Sequence, residues 1–371
     1  MNGKFQKVKG IEHLIDLYLK RKEEKEKVLL NFLSSEQPGF IIKQRGSFET
    51  FRNACNTTQK VFWNNMLDFE KNISNEWSDD LPFLEPWIGT GVYANAFGCE
   101  LMWRENDAPD VHYKYHKIDE VANIEYPEYH KSSAMTMVLD CIDYFKEKTG
   151  EMLPISLTDT QSPFDTATLI LDTTEFFTAC YMAPEIIADF MSKITNLVIE
   201  FSKVQTERIG EKLLVRPGHL MPSSCSCGGI SISDDNLAVS SPDINELFSF
   251  PCNQKIADAF NGLAIHSCGP WAHTMERLDK IRNITMIDCA ITTANDPTPN
   301  RPSDVRDAMR NKGIIVKARF GNDMRKVLPL IEEIFDPSLK LIIEIIYDEE
   351  HAERNYHLIK EKLQKLYCNN S

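Results

Sequence analysis

Acidic, imidazole and thiol side chains recur at the ends of short apolar runs in this chain. Asp159 closes MLPISLTD (152–159), Asp234 and Asp235 close GGISISDD (228–235), and His266 and Cys268 close GLAIHSC (262–268). Asp288 and Cys289 stand in ITMIDCA (284–290), Arg319 in GIIVKARF (313–320), and Glu344 and Tyr347 at the end of LKLIIEII (339–346) and just past it. Residues i and i+2 of an extended strand share a face, so His266 and Cys268 point together. Zinc binds thiolate sulfur at about 2.3 Å and imidazole nitrogen at about 2.0 Å, and its catalytic sites usually take three protein ligands. Cys289 on the next run is the first choice for the third, with Cys225, Cys227, Glu344 and Asp348 as the others. The competing reading of His266 is a core histidine bonded to a carbonyl. Cys225-Ser226-Cys227 lacks the C-x-x-C spacing of redox folds and structural zinc, and the Gly-Gly after it predicts a tight turn.

Among the other polar residues, Asp159 and Asp234 are catalytic candidates, and Asp234-Asp235 could be an acid–base pair, an anchor for a cationic group or solvated loop residues. Arg319 joins them as a catalytic candidate, because a guanidinium on an apolar strand needs a carboxylate partner in the protein or in a substrate. Asp235 and Tyr347 are the candidate substrate-binding groups. Phe51, Trp63, Met66 and Phe69 fall in an amphipathic run and are expected to be core contacts.

These residues need elements to bring them together. The six apolar runs alternate with helical patterns such as 184–210 and 303–313, the sign of βα units. No G-x-G-x-x-G or G-x-x-x-x-G-K loop follows any run, which removes the usual reason for a nucleotide-binding doubly wound sheet. The expected fold is therefore α/β, a (β/α)8 TIM barrel, whose strand C-termini form the active face. One weakly marked strand is expected near Leu81–Thr90, and an eighth has no clear signal. Residues 1–80, with Ile11, Leu14, Ile15, Tyr18 and Leu19 at helical spacing before KRKEEKEK, predict a helical N-terminal extension to a barrel over 81–371.

The chain has 371 residues, 42% hydrophobic and 26% charged, as soluble globular proteins do. With 55 acidic against 41 basic residues its net charge is −14, which disfavours nucleic acid and anionic membranes as partners. No window offers a membrane span, and the first residues lack a signal-peptide core. A cytoplasmic protein acting on a small molecule is expected, with its ten cysteines mostly free thiols.

Four segments, LPFLEPWIGTGVYANAFGCELMW (81–103), DTQSPFDTATLIL (159–171), GGISISDDNLAVSSPDINELFSFP (228–251) and AIHSCG (264–269), resemble the uroporphyrinogen decarboxylase superfamily in type and order. The resemblance spans roughly residues 80 to 370 and implies the same barrel. In the superfamily's methylcobalamin:coenzyme M methyltransferase branch, the residues matching His266 and Cys268 bind zinc, which activates a thiol for methyl transfer. That branch implies a corrinoid as methyl donor, or a corrinoid protein as partner, and pairing into a homodimer. Its further cysteine after the last strand has no counterpart here, where the chain reads IIEIIYDEEHAERN (342–355). The decarboxylase branch implies cofactor-free carboxylyase chemistry on a tetrapyrrole. Its arginine-rich N-terminal loop is echoed by Lys43-Gln44-Arg45-Gly46, with Arg319 and Arg216 as further cations. A barrel that binds a corrinoid or another small molecule without catalysis is the third alternative.

Overall fold

The structure is a computed structural model that describes residues 10–46, 51, 53–104 and 107–369. Six parallel strands form its main sheet: β1 Gly39–Arg45, β4 Ile230–Ser233, β5 Leu263–His266, β6 Ile284–Ala290, β7 Ile315–Phe320 and β8 Lys340–Ile346. The small antiparallel pair β2 Glu100–Met102 and β3 Asp110–His112 stands apart. Within the main sheet the order is β1-β8-β7-β6-β5-β4. Two irregular segments join its edges. Ser233 donates its N–H to Thr160 O (3.0 Å) and Ser162 to Ser233 O (2.7 Å), Leu84 donates to Pro154 O (2.9 Å), and Asp79 donates to Ile42 O (2.8 Å). The circle therefore closes as an eight-stave (β/α)8 barrel. Pro82, Pro86 and Pro154 have no N–H to give a ladder, which is why these two staves are held by single bridges at Leu84, Ile155 and Gln161.

The stave without a sequence signal is β1, which pairs along its whole length with β8. It lies inside residues 1–80, so the segment expected to be a helical extension contributes a barrel strand, and the barrel begins at Gly39. Among the described residues the helix Ile11–Ser34 precedes it. The strand GFIIKQR hid because its inward positions include Lys43 and Arg45, so no apolar alternation marks it.

The barrel interior is layered. At the N-terminal end Ile41, Ala264, Met286, Ile315 and Ile342 pack with Leu29 and Phe32 of the first helix, which plugs that end. Two residues further along each strand the inward positions turn polar, and all but His266 are acids or lysines: Lys43, His266, Asp288, Lys317 and Glu344. Register places His266, Asp288 and Lys317 side by side on β5, β6 and β7, and Arg319, Glu344 and Lys43 side by side on β7, β8 and β1. Signs alternate along the second rung, and in the first Asp288 stands between His266 and the cation Lys317. The outward positions, including Ile265, Ile287, Cys289, Val316, Ala318 and Ile343, join the large apolar core beneath the helices.

Candidate active site

At the C-terminal end of β5, His266 is 5% exposed and its Nδ1 lies 2.5 Å from Asp288 Oδ2. The carboxylate fixes the ring so that Nε2 faces the mouth. There Cys268 Sγ lies 3.5 Å from Nε2, and Asp235 Oδ1 lies 3.8 Å from it. Asp235, His266 and Cys268 each offer a ligand atom, all within 4.8 Å of one another. With bond lengths of about 2.3 Å to sulfur and 2.0–2.1 Å to nitrogen and oxygen, tetrahedral ligand atoms stand about 3.3–3.6 Å apart. Two of the three separations stand close to that spacing and the third lies within 4.8 Å, so the triad can close on a zinc-sized ion. A histidine backed by a carboxylate is also the usual outer shell of a metal-bound imidazole.

Beneath the triad lies a buried ion-pair floor. Lys317, wholly buried, sits 2.5 Å from Asp288 and 2.8 Å from Glu344, and Arg319 Nε lies 3.0 Å from Asp288. Glu344 also meets Arg45 at 3.2 Å, and Lys43 pairs with Asp80 at 2.8 Å. Burial alone would raise the pKa of Asp288, but Arg319, Lys317 and His266 hold it well below the usual carboxylate range. The same contest leaves Glu344 at about 2, with Lys317, Arg45 and Lys43 outweighing burial. Both carboxylates are ionised, so Asp288 can accept from His266. The Cys268 thiol is pushed up to about 12 by desolvation of its sulfur and then by Asp235. On its own it is a neutral thiol at ordinary pH.

Facing the triad is a second buried group. His219 Nδ1 lies 2.7 Å from Glu85 Oε1 and its Nε2 3.5 Å from Asp159 Oδ1, and its ring stands edge-on to His266 at 6.2 Å. Asp159 is fixed by Ser233 Oγ (2.9 Å), Gln161 Nε2 (2.9 Å) and Trp87 Nε1 (3.4 Å). Burial lowers the pKa of an imidazole, yet Asp159 and Glu85 overcome it and raise His219 to about 9. Because the folded value lies above the unfolded one, this stabilisation is whole below about pH 6.5 and is lost as pH rises through about 9. Metal-free protein is expected to lose on the order of 3 kcal/mol from this source across that window. Urea unfolding at pH 6 and pH 9.5 checks it: His219→Gln should flatten the alkaline decline, and an unchanged slope would contradict the assignment.

The structure brings Asp159, Asp235, His266 and Cys268 together near the mouth with Arg319 in the floor beneath them, and separates other candidates from it. Cys289 is displaced from the expected metal set: the two-residue period of β6 turns Asp288 inward and Cys289 outward, into the apolar core, and Asp235 stands in the third place instead. Asp234 is likewise on the outer face. It is fully buried, accepts from Ser249 Oγ (2.7 Å) and Asn253 Nδ2 (2.9 Å), and burial raises it to about 6. Its neighbours mark a structural anchor rather than the expected catalytic group. Cys225 lies near Tyr18, Lys22 and Glu26 of the first helix, and Cys227 near Glu26, at the plugged end of the barrel. Glu344 is held in the ion-pair floor, and Asp348 pairs with His351 at 3.1 Å. Tyr347 follows β8 and donates its N–H to Arg45 O (2.8 Å), with Glu349 and Asp348 beside its phenol.

Sequence reasoning missed Lys317, His219 and Glu85. Lys317 carried the signal used for Arg319, a cation inside an apolar run. Glu85 sits between apolar residues and prolines in LPFLEPW, whereas His219, in a loop, carried no signal.

The comparisons with known proteins bear on the fold and on one segment of the chain. Residues 89–215 match the family model described as Uroporphyrinogen decarboxylase (URO-D). No curated protein matches the chain. Among solved structures, a methyltransferase from Methanosarcina mazei superposes with a TM-score of 0.61 at 14% identity, over 92% of this chain and 99% of that one. Among the described residues no helix is long and apolar enough to cross a membrane. The chain is thus similar to the uroporphyrinogen decarboxylase family through residues 89–215, on an α/β barrel whose fold it shares over nearly its full length with that methyltransferase.

Proposed function

We propose that this chain is a zinc-dependent, corrinoid-linked methyltransferase-like enzyme that activates a thiol, with Asp235, His266 and Cys268 as its metal ligands. One observation carries the reading: the side chains of these three residues converge at a strand end while Asp288 holds the imidazole from behind. Zinc bound there would supply Lewis acidity, lowering the pKa of a thiol toward neutrality.

The chain's own residues provide the rest. Asp288 orients His266, and Lys317 and Arg319 keep Asp288 ionised. Asp159, Glu85 and His219 form the polar wall opposite, against which a bound substrate would be oriented. Trp87 and Phe51, 4.6 Å apart edge to face, flank that wall, Trp87 donating to Asp159 and Phe51 standing edge-on to His219. A corrinoid, free or carried by a partner protein, is the methyl source this reading requires.

The match to the decarboxylase family model favours tetrapyrrole decarboxylation as a second reading. A substrate with many carboxylates needs several convergent cations. Here Lys43, Arg45, Lys317 and Arg319 already face Asp80, Glu344 and Asp288, which argues against it.

The test is to incubate zinc-loaded protein with methylcobalamin and 2-mercaptoethanol and follow the cobalamin spectrum. Protein-dependent demethylation that falls to background in Cys268→Ala is expected. A rate equal to buffer with zinc alone, together with turnover of uroporphyrinogen, would reverse the two readings.

A further inference from the structure

The two loops that carry Asp235 and Cys268 are gripped from outside the triad. Asp165, on the helix Pro163–Ile170 and itself buried, accepts the backbone N–H of Asp235 with Oδ2 (2.6 Å) and that of Asn236 with Oδ1 (2.8 Å). Its own N–H donates to Ser162 Oγ (2.9 Å), the cap of that helix, so the carboxylate has a fixed base. Asp235 in turn accepts the N–H of Cys268 with Oδ1 (2.6 Å).

From the other side Asp296, also buried, accepts the N–H of Gly269 with Oδ2 (2.7 Å), while its Oδ1 accepts from Thr298 N (2.8 Å). Asn300 supports the same loop, accepting from Trp271 N (2.9 Å) and donating to Gly269 O (2.9 Å). Gly269 has φ +71, and a Cβ there would come within 2.9 Å of Ala238 Cβ. The Cys268 loop therefore lies directly on the Asp235 loop, with no slack between them.

We infer that Asp165 and Asp296 are positioning residues of the triad, each fixing through backbone N–H groups the loop that presents one ligand. Neither belongs to the triad. Asp165 sets where Asp235 stands, and Asp296 sets where the Cys268 sulfur stands relative to His266. The inference rests on the metal reading proposed above.

Cobalt(II) is the probe, added to metal-stripped full-length protein at a temperature well below unfolding. Its thiolate-to-metal absorption band reports the Cys268 bond, and competition with a chelator gives the affinity. Wild type is expected to show a saturable band. Asp165→Ala and Asp296→Ala are expected to bind about 10–100-fold more weakly, as loss of outer-shell support does elsewhere. The Asn variants keep one acceptor, guard against loss of the fold, and should recover part of the affinity. Folded variants that match wild type in band and affinity overturn the inference and leave the metal reading standing. Absence of the band in wild type overturns the metal reading, and the inference with it.

Discussion

Lys317→Ala is expected to lower stability by about 3–5 kcal/mol, because it leaves two buried carboxylates without their central cation. Lys317 is wholly buried and bridges Asp288 and Glu344, which are themselves 0% and 2% exposed. Arg319 and Arg45 remain, at 3.0 Å from Asp288 and 3.2 Å from Glu344, but the closest cation to each carboxylate, at 2.5 and 2.8 Å, is Lys317. Urea unfolding of metal-free protein gives the measurement. Arg208→Ala is the contrast, since its pair with Asp143 is about half exposed and such surface pairs contribute about 0–1 kcal/mol. Equal, small losses in the two variants would show that the interior charges are not held as described. The result bears on function, since the same lysine keeps Asp288 ionised behind His266.

The second large effect concerns the ligands. His266→Ala and Cys268→Ala are expected to purify with no stoichiometric zinc, whereas Cys289→Ala should retain about one equivalent, the number a single three-ligand site binds. Elemental analysis of the three variants and wild type decides it. Zinc lost with Cys289 and kept with Cys268 would mean that the β6 cysteine reaches the mouth after all. Its outward position makes that a demanding requirement, because the strand would have to rotate by one residue and bury Asp288 among apolar side chains.

The residues show why some of this was legible and some was not. Outward faces of β5 to β8 pack under helices, so they appear as apolar runs, and their chain order with intervening helices gives the barrel. β1 escaped because its inward Lys43 and Arg45 break the apolar pattern, and the proline-rich staves near Leu84 and Ile155 escaped regular pairing altogether. His266 and Cys268 were found because the i, i+2 rule holds within one strand. Across strands the rule needs the face of each residue as well as its position along the barrel. Position alone suggested Cys289 and Asp234, and the face excluded both. Asp235 was identified as polar and near the mouth, but only the path of its loop, held by Asp165, turns it toward Cys268. His219 comes from a loop between irregular segments, where no periodicity operates.

The measurement that bears most directly on the central claim is zinc-edge X-ray absorption on the reconstituted protein. One sulfur at about 2.3 Å with two or three nitrogen or oxygen neighbours at about 2.0–2.1 Å is the shell that Asp235, His266 and Cys268 predict. A shell with no sulfur, or with two, would contradict it.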